Sequence, residues 1–230
     1  MRSFVTEALL VRQVAYGESD VIATLFTEAE GRLGVMARGA RKSTKRVGGA
    51  LEPFHTIEAR LEERGGDLGT LREARIVRVR SGIVARLDAI EAAGTALRWV
   101  RHACPPRTRE PEAWRTLIAL LDELDALDER ASARVALAHA AVRLLGDVGY
   151  GLEWERCVHC GKECPPDRAA RLDPSRGGLV CSACGGAPTV ISAELRGKVL
   201  HGAPRMTPAE AEDVLRLVDL AMAAHAGFDR

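Results

Sequence analysis

Four cysteines form the group of residues whose type and spacing most clearly indicate chemistry. They occur as two Cys-x-x-Cys pairs, Cys157 with Cys160 and Cys181 with Cys184, and 20 residues separate the pairs. Zinc prefers four ligands at the corners of a tetrahedron, and two cysteines at this spacing can occupy one edge of it. Because four thiolates leave no position for water, the sequence predicts one structural Zn²⁺ rather than a catalytic one.

The other cysteines and the nearby histidine are expected to have lesser roles. The alternative to a metal site is two redox pairs or unrelated buried thiols, but a redox motif would need a single pair beside a β-α-β unit, and none is visible. His159 lies beside four ligands that already complete the site, so we expect it to be solvated. We expect Cys164 to be a bystander and Cys104 to be a small apolar packing residue.

A second chemical feature is a run of five basic residues within nine positions that contains no acidic residue. The net charge of the whole chain is only +1, so this charge is concentrated locally. Lys and Arg bind phosphates whatever the base sequence, so the run predicts a contact with single-stranded nucleic acid, and a solvated loop is the alternative. The run consists of Arg38, Arg41, Lys42, Lys45 and Arg46, with Arg12 and Arg32 as additional predicted contacts.

The elements that would position the basic run are five short strands in about the first eighty residues, a number that suits a small closed barrel. An OB-fold fits this pattern, and the spacing alone also permits an SH3-like barrel. Phe26 and Phe54 are expected in the core, so binding would be mainly electrostatic and sensitive to salt. The predicted strands are Ser3–Val14, Val21–Thr27, Arg32–Arg38, His55–Leu61 and Leu71–Val79.

Helical periodicity replaces the strands after Ser81-Gly82. One apolar stripe includes Leu87 and Val100, the second runs from Trp114 to Leu124, and the third ends at Gly146 or Gly149. Near the end of the chain, Thr207-Pro208-Ala209-Glu210 has the residue types of a capping box and begins another amphipathic helix. The segment from Cys157 to Cys184 has almost no apolar periodicity, so a bound metal would have to hold it together.

Taken in order, these pieces resemble the RecO family of bacterial recombination mediators over nearly the whole chain. Three elements are specific: Tyr16-Gly-Glu-Ser-Asp20, Ala37-Arg-Gly-Ala-Arg41 and Leu51-Glu-Pro-Phe54. The segment before the cysteines, with Gly149-Tyr150-Gly151, also resembles that family, and the four cysteines lie at the positions of the family's zinc module.

The resemblance implies an α+β multidomain protein with a five-stranded OB-fold β-barrel at residues 1–80. An α-helical domain at 81–150 and 190–230 would follow, with a four-cysteine zinc ribbon inserted at 151–189. Such a protein binds single- and double-stranded DNA and anneals complementary strands. It partners RecR, contacts the C-terminal tail of single-strand-binding protein (SSB) and thereby helps load RecA. In this chain the basic run would be the DNA-contacting group.

Catalysis is not expected, because no nucleophile pattern surrounds the scattered histidines and no phosphate-loop motif occurs. Two non-enzymatic alternatives stay open: a zinc-ribbon adaptor that binds structured RNA in transcription or translation, and a protein-interaction module. The N-terminus does not read as a signal peptide and no apolar run reaches membrane-spanning length. We therefore expect a cytoplasmic, nucleoid-associated protein that does not bind membranes.

Overall fold

Five strands with apolar side chains at alternate positions form the first part of the chain. In the structure, a computed structural model that describes residues 1–42, 47–63, 65–128, 130–202 and 205–227, these strands close into a barrel. The order around the barrel is β1-β2-β3-β5-β4, and neighbours are antiparallel except β3 and β5, which are parallel. The strands are β1 (Arg2–Tyr16), β2 (Asp20–Thr27), β3 (Gly31–Ala37), β4 (Thr56–Glu63) and β5 (Leu68–Arg78).

Alternate residues of each strand point into the barrel because successive side chains of a strand leave opposite faces. The interior residues of β2 and β3 are Val21, Ala23, Leu25, Leu33, Val35 and Ala37, all buried. Their sequence neighbours Ile22 and Met36 are only half-buried and lie on the outer face. The barrel therefore has an apolar core, and its outer face is buried at some positions and exposed at others.

The first strand is longer than its partners and contains an irregularity at Val11. Residues 2–9 pair with β4, and residues from Ala8 onward pair with β2, with a register shift between Leu10 and Arg12. Such a bulge bends a strand and can end its pairing on one side. Beyond it, β1 pairs with β2 alone and the two continue as a hairpin to Tyr16 and Asp20.

Three helices follow in the same compact unit, residues 1–126. They are α1 (Ser81–Val84), α2 (Leu87–Ala103) and α3 (Pro111–Asp125). Trp114 of α3 packs on Phe26 of β2 with ring centroids 5.8 Å apart, so α3 covers part of the outer face of the barrel.

A fully buried arginine joins β5 to α3 and to the segment before β4. Arg80 donates from Nε to Oδ1 of Asp122 (2.8 Å) and from Nη1 to the carbonyl oxygen of Phe54 (2.8 Å) and to Oγ1 of Thr56 (2.9 Å). Phe54 has φ of 72°, an unusual conformation for a bulky residue. The Leu51–Phe54 element is therefore held from inside by a buried guanidinium.

The second unit, residues 127–230, combines three helices with a small sheet. The elements of this unit are α4 (Ala133–Asp147), β6 (Glu153–Cys157), β7 (Ala170–Asp173), β8 (Gly178–Leu179), β9 (Thr189–Ile191), α5 (Ala193–His201) and α6 (Pro208–His225). α4 packs against α6, and Thr207 and Glu210 form a complete capping box at the start of α6. The sheet has the order β6-β8-β7-β9 and buries Leu172, Leu179 and Ile191.

The five barrel strands agree with the predicted strands to within three residues at each end, and the three predicted apolar stripes lie on α2, α3 and α4, whereas α1 and the strands β6 to β9 were not predicted individually. β1 extends to Tyr16 because its pairing with β2 continues past Val14. β5 begins at Leu68 because its first residues pair in parallel with β3. α5 is a further helix that apolar periodicity does not reveal, because its buried face carries Arg196 and Lys198 and its middle is Gly197.

The chain divides into two compact units between residues 126 and 127. The predicted division into residues 1–80, residues 81–150 with 190–230, and residues 151–189 stays a prediction. In the structure α1, α2 and α3 belong to the unit of the barrel, and α4, α5 and α6 to the unit of the cysteines. Among the helices of the described residues, none is long and apolar enough to cross a membrane.

Candidate metal centre and nucleic-acid interface

The four predicted cysteine ligands come together in the second unit. The Sγ atoms of Cys157, Cys160, Cys181 and Cys184 all lie within 4.8 Å of one another, and those of Cys160 and Cys181 are 3.7 Å apart. With Zn–S bonds of about 2.3 Å, the edge of a tetrahedral four-sulfur site is about 3.8 Å. The cluster therefore has the size and the donor type that a tetrahedral zinc ion requires.

Local backbone turns produce this convergence. Cys157 ends β6, Cys181 follows β8, and a single 3₁₀ turn carries Cys184 back toward Cys181. The residue after each pair is a glycine with positive φ, 70° at Gly161 and 96° at Gly185, a conformation that glycine adopts without steric cost. Each Cys-x-x-Cys pair is therefore a tight knuckle that directs both sulfurs to the same side.

The thiols of the cluster differ in acidity because their surroundings differ. The backbone amide of Cys181 donates a hydrogen bond to Sγ of Cys157 (3.4 Å) and lowers the pKa of Cys157 to about 6. Hydrogen bonds with the sulfurs of Cys181 and Cys160, followed by burial, raise the pKa of Cys184 to about 12. Four sulfur anions at this distance repel one another, and a divalent cation between them removes that repulsion.

The remaining cysteines and the knuckle histidine lie outside the four-sulfur group. His159 is exposed. Cys164 accepts a hydrogen bond at Sγ from Nη1 of the buried Arg196 (2.6 Å), and Arg196 also donates to the carbonyl oxygen of Pro165. Cys164 therefore belongs to a contact between the cysteine loop and α5. Cys104 is fully buried at the end of α2.

At one end of the barrel the structure places three of the predicted basic residues side by side. Arg38, Arg41 and Lys42 are all exposed at the end of β3. Lys45 and Arg46 of the same run lie outside the described residues. Arg12 is exposed on β1 just after the bulge, and no ion pair involves its guanidinium within the described part of the chain.

Arg32 lies apart from this group. It occupies the start of β3, six residues before Arg38, which corresponds to roughly 20 Å along a strand. Its Nε donates to the carbonyl oxygen of Cys104 (3.0 Å), and its own carbonyl oxygen accepts from the amide of Arg107 (2.9 Å). These contacts give Arg32 a structural role between β3 and the end of α2, and its contact with nucleic acid stays a prediction.

The turn between β1 and β2 fixes the start of the basic loop. Oδ1 of Asp20 accepts from the amide of Gly39 (2.8 Å) and from the hydroxyl of Ser19 (3.0 Å), and these bonds lower the pKa of Asp20. The amide of Arg41 donates to the carbonyl oxygen of Ser19 (2.9 Å), and Nη1 of Arg41 reaches that of Gly17 (3.3 Å). The Tyr16–Asp20 element therefore shapes the loop that carries the cations.

Sequence reasoning did not identify this role of Asp20. The sequence contains part of the signal for this contact, because a glycine at position 39 is typical of a turn, and its φ of 68° in the structure agrees with one immediately after β3. The acceptor for its amide, however, lies 19 residues earlier and becomes a neighbour only through strand pairing. Among the aromatic residues of the barrel, Phe26 and Phe54 are buried, whereas Tyr16 is 55% exposed.

Comparison with known proteins gives one consistent result. Sequence models of recombination protein O match residues 1–80 (its N-terminal part) and residues 85–229 (its C-terminal part). DNA repair protein RecO of Geobacter sulfurreducens is 37% identical over 227 residues, covering 95% of this chain and 91% of the relative. DNA repair protein RecO of an Anaeromyxobacter species (strain Fw109-5) is 36% identical, covering 90% and 86%. The protein of the same name from Geobacter metallireducens is 34% identical, covering 98% and 93%.

Proposed function

This chain belongs to the RecO family of recombination and DNA repair proteins, and on that premise we propose that its barrel is an OB-fold that binds single-stranded DNA. The observation that carries the proposal is the group of three exposed cations, Arg38, Arg41 and Lys42, at one end of the barrel. The Gly39 amide donates to Asp20 and the Arg41 amide donates to the carbonyl oxygen of Ser19, and these two bonds hold the start of the loop that carries the cations. Lys45 and Arg46 extend the same run in sequence.

The proposed binding is electrostatic and independent of sequence. Lys and Arg neutralise phosphates and release the counterions that surround them, which is the main favourable term for such proteins. The same cations would bind duplex DNA through its phosphates. Bringing two complementary strands together requires that their mutual repulsion be reduced, and a basic loop does so. We therefore assign strand annealing to this end of the barrel, and a mediator role without catalysis.

We further propose that the four cysteines hold one structural Zn²⁺. The bound ion would supply charge compensation and a fixed tetrahedral cross-link, and it would hold the segment between the knuckles in place. Because all four ligands come from the chain, no position remains for a reacting water. The ion in this proposal supports the fold of the second unit and takes no part in DNA chemistry.

The partners in this proposal are those of the family: RecR, the C-terminal tail of SSB and, indirectly, RecA. The corresponding activity is the annealing of complementary oligonucleotides coated with SSB, and the loading of RecA on SSB-coated single strands when RecR is present. Annealing that proceeds equally well with and without this chain would contradict the proposal.

The test of the binding surface compares two triple variants that remove the same charge from the same barrel. One replaces Arg38, Arg41 and Lys42 with Ala. The control replaces Arg60, Arg72 and Arg75, which are exposed and paired with Glu73, Glu62 and Glu58. Among the residues of the first variant, Lys42 is also paired, with Glu18 at 3.7 Å. If the wild type makes roughly four phosphate contacts, its log affinity for oligo-dT falls with log salt at a slope of about −3. The first variant should lose most of that slope, and the control should keep it.

If both variants lose the same amount of salt slope, the assignment of DNA binding to Arg38, Arg41 and Lys42 is wrong. An RNA hairpin bound in preference to oligo-dT would instead favour the adaptor function, and binding to neither ligand would favour an interaction module.

A further inference from the structure

The outer face of β1, β2 and β3 is covered at one end and open at the other. At the covered end, Leu9 pairs with Phe26, both are fully buried, and Trp114 lies against Phe26. Past the bulge at Val11 the same face is exposed: Val14 is 47% exposed and Tyr16 is 55% exposed. The helices that shield the first half of the hairpin therefore do not reach the second.

Strand register defines an apolar surface on this open half, which we call the outer patch. Val14 lies opposite Ile22, and Ile22 lies opposite Met36, so these three side chains form one row across the strands. Tyr16, two residues beyond Val14 on the same face, lies opposite Asp20. The outer patch consists of Val14, Tyr16, Ile22 and Met36.

Cations border the outer patch. Arg12 precedes Val14 by two residues on the same face of β1, and Arg38 follows Met36 by two residues at the end of β3. The one carboxylate in the adjoining row, Asp20, is held by the Gly39 amide and the Ser19 hydroxyl. This arrangement suits a ligand that consists of flat apolar groups joined by anionic groups. The flat groups can contact the apolar and aromatic side chains, and the anionic groups can pair with the guanidinium groups.

We propose that the outer patch is a stacking platform for unpaired nucleobases, with Tyr16 as the principal stacking residue. The inference rests on the proposed binding of single-stranded DNA and deepens it. Arg12 and Arg38 hold the phosphates on either side, and the tyrosine ring and neighbouring aliphatic side chains contact the bases. Paired bases present no free face, so the outer patch gives single strands an advantage over duplex DNA that phosphate contacts alone cannot give.

The test separates base contacts from phosphate contacts by comparing oligo-dT with an abasic oligonucleotide of the same length and charge. Stacking on one aromatic side chain strengthens binding by roughly 5- to 150-fold per base. We expect Tyr16→Ala to weaken dT binding by a factor in this range, to leave abasic binding unchanged, and to keep the salt dependence of the wild type. Tyr16→Phe should retain dT binding, because the ring and not the hydroxyl is required.

A matched pair of valines controls for general effects of truncation on β1. Val14 and Val5 are equally exposed, at 47%, but Val5 lies on the other side of the bulge. Val14→Ala should weaken dT binding, and Val5→Ala should leave it unchanged. In addition, an oligonucleotide containing 5-iodouracil should cross-link on irradiation to the tryptic peptide that contains Tyr16.

The outcomes distinguish this inference from the proposed function on which it rests. If the wild type binds dT with the expected salt slope but equals Tyr16→Ala in affinity, or binds abasic and dT oligonucleotides alike, the stacking platform is wrong and the electrostatic site stands. If the wild type binds neither oligonucleotide, both are wrong.

Discussion

At the scale of single residues, the buried guanidinium of Arg80 and the half-buried carboxylate of Asp122 organise the barrel unit. Burial lowers the pKa of Arg80, and the carboxylate of Asp122 opposes that effect. The guanidinium also satisfies the carbonyl oxygen of Phe54 and the hydroxyl of Thr56. Sequence reasoning could not find this contact, because arginine is rarely fully buried and Asp122 lies 42 residues away.

We predict that Asp122→Ala destabilises the protein by about 3 kcal/mol, because it leaves a buried guanidinium without its counter-charge. The free energy of unfolding, measured in urea by loss of ellipticity, checks this. Glu58→Ala, which removes the partner of the exposed Arg75, is the control and should change the stability much less. Equal effects of the two substitutions would contradict a special role for the buried pair.

Asp20 provides a pH-dependent prediction. Its folded pKa lies below the ordinary value of 3.8, mainly because the Gly39 amide bonds its carboxylate and also because Ser19, Arg38 and Lys42 are near. A lowered pKa means that the stabilisation is present above pH 3.8 and is lost as the pH falls through the lower folded value. The wild type should therefore exceed Asp20→Asn in urea midpoint at neutral pH, and the difference should shrink on acidification. A difference that grows in acid would disprove this assignment.

At the scale of elements, the two cysteine knuckles were predictable and the bulge in β1 was not. Two cysteines that bind the same ion at this spacing must lie in one local turn, so the spacing of each Cys-x-x-Cys pair is enough to predict its knuckle. The position of the bulge depends instead on where the pairing of β1 with β2 and with β4 begins and ends, and the residues of both partner strands lie elsewhere in the chain. The open half of the hairpin, and with it the outer patch, could not be located from the sequence.

The knuckles lead to a comparison of two cysteine substitutions. We predict about one zinc ion per chain, with Cys157→Ser losing it because a hydroxyl does not replace a thiolate ligand. Cys164→Ser should keep the zinc, since Cys164 lies outside the four-sulfur group and is hydrogen-bonded to Arg196 and to the carbonyl oxygen of Pro165. Elemental analysis of the untagged proteins gives the metal content, and thermal unfolding gives the stability. Metal lost from Cys164→Ser, or absent from the wild type, would contradict the four-cysteine site.

At the scale of the whole molecule, the cations of the proposed DNA-binding surface and the four clustered cysteines lie in different units. The cations that we propose for DNA lie in residues 1–126, and the four sulfurs lie in residues 127–230. The sequence predicted both features and their order along the chain. It did not indicate which helices pack in the unit of the barrel, because periodicity identifies the buried face of a helix but not its packing partner, and the predicted domain boundary at residue 80 stays a prediction.

This separation predicts the result of removing the metal. Chelation should lower the stability of the second unit and leave the affinity of the barrel for oligo-dT and its salt slope largely unchanged. Fluorescence anisotropy with labelled dT, before and after chelation and with zinc restored, provides the measurement. If affinity falls with the zinc content and returns with it, the second unit takes part in DNA binding and the division of roles is wrong.

The close approach of the sulfurs has a practical consequence for handling the protein. Without a bound cation, an oxidant such as peroxide would reach the exposed Cys160 first, and its oxidised sulfur would find three further thiols within 4.8 Å with which to form a disulfide. Chelated samples therefore call for a reductant during storage, since cross-linked knuckles would no longer take the ion back.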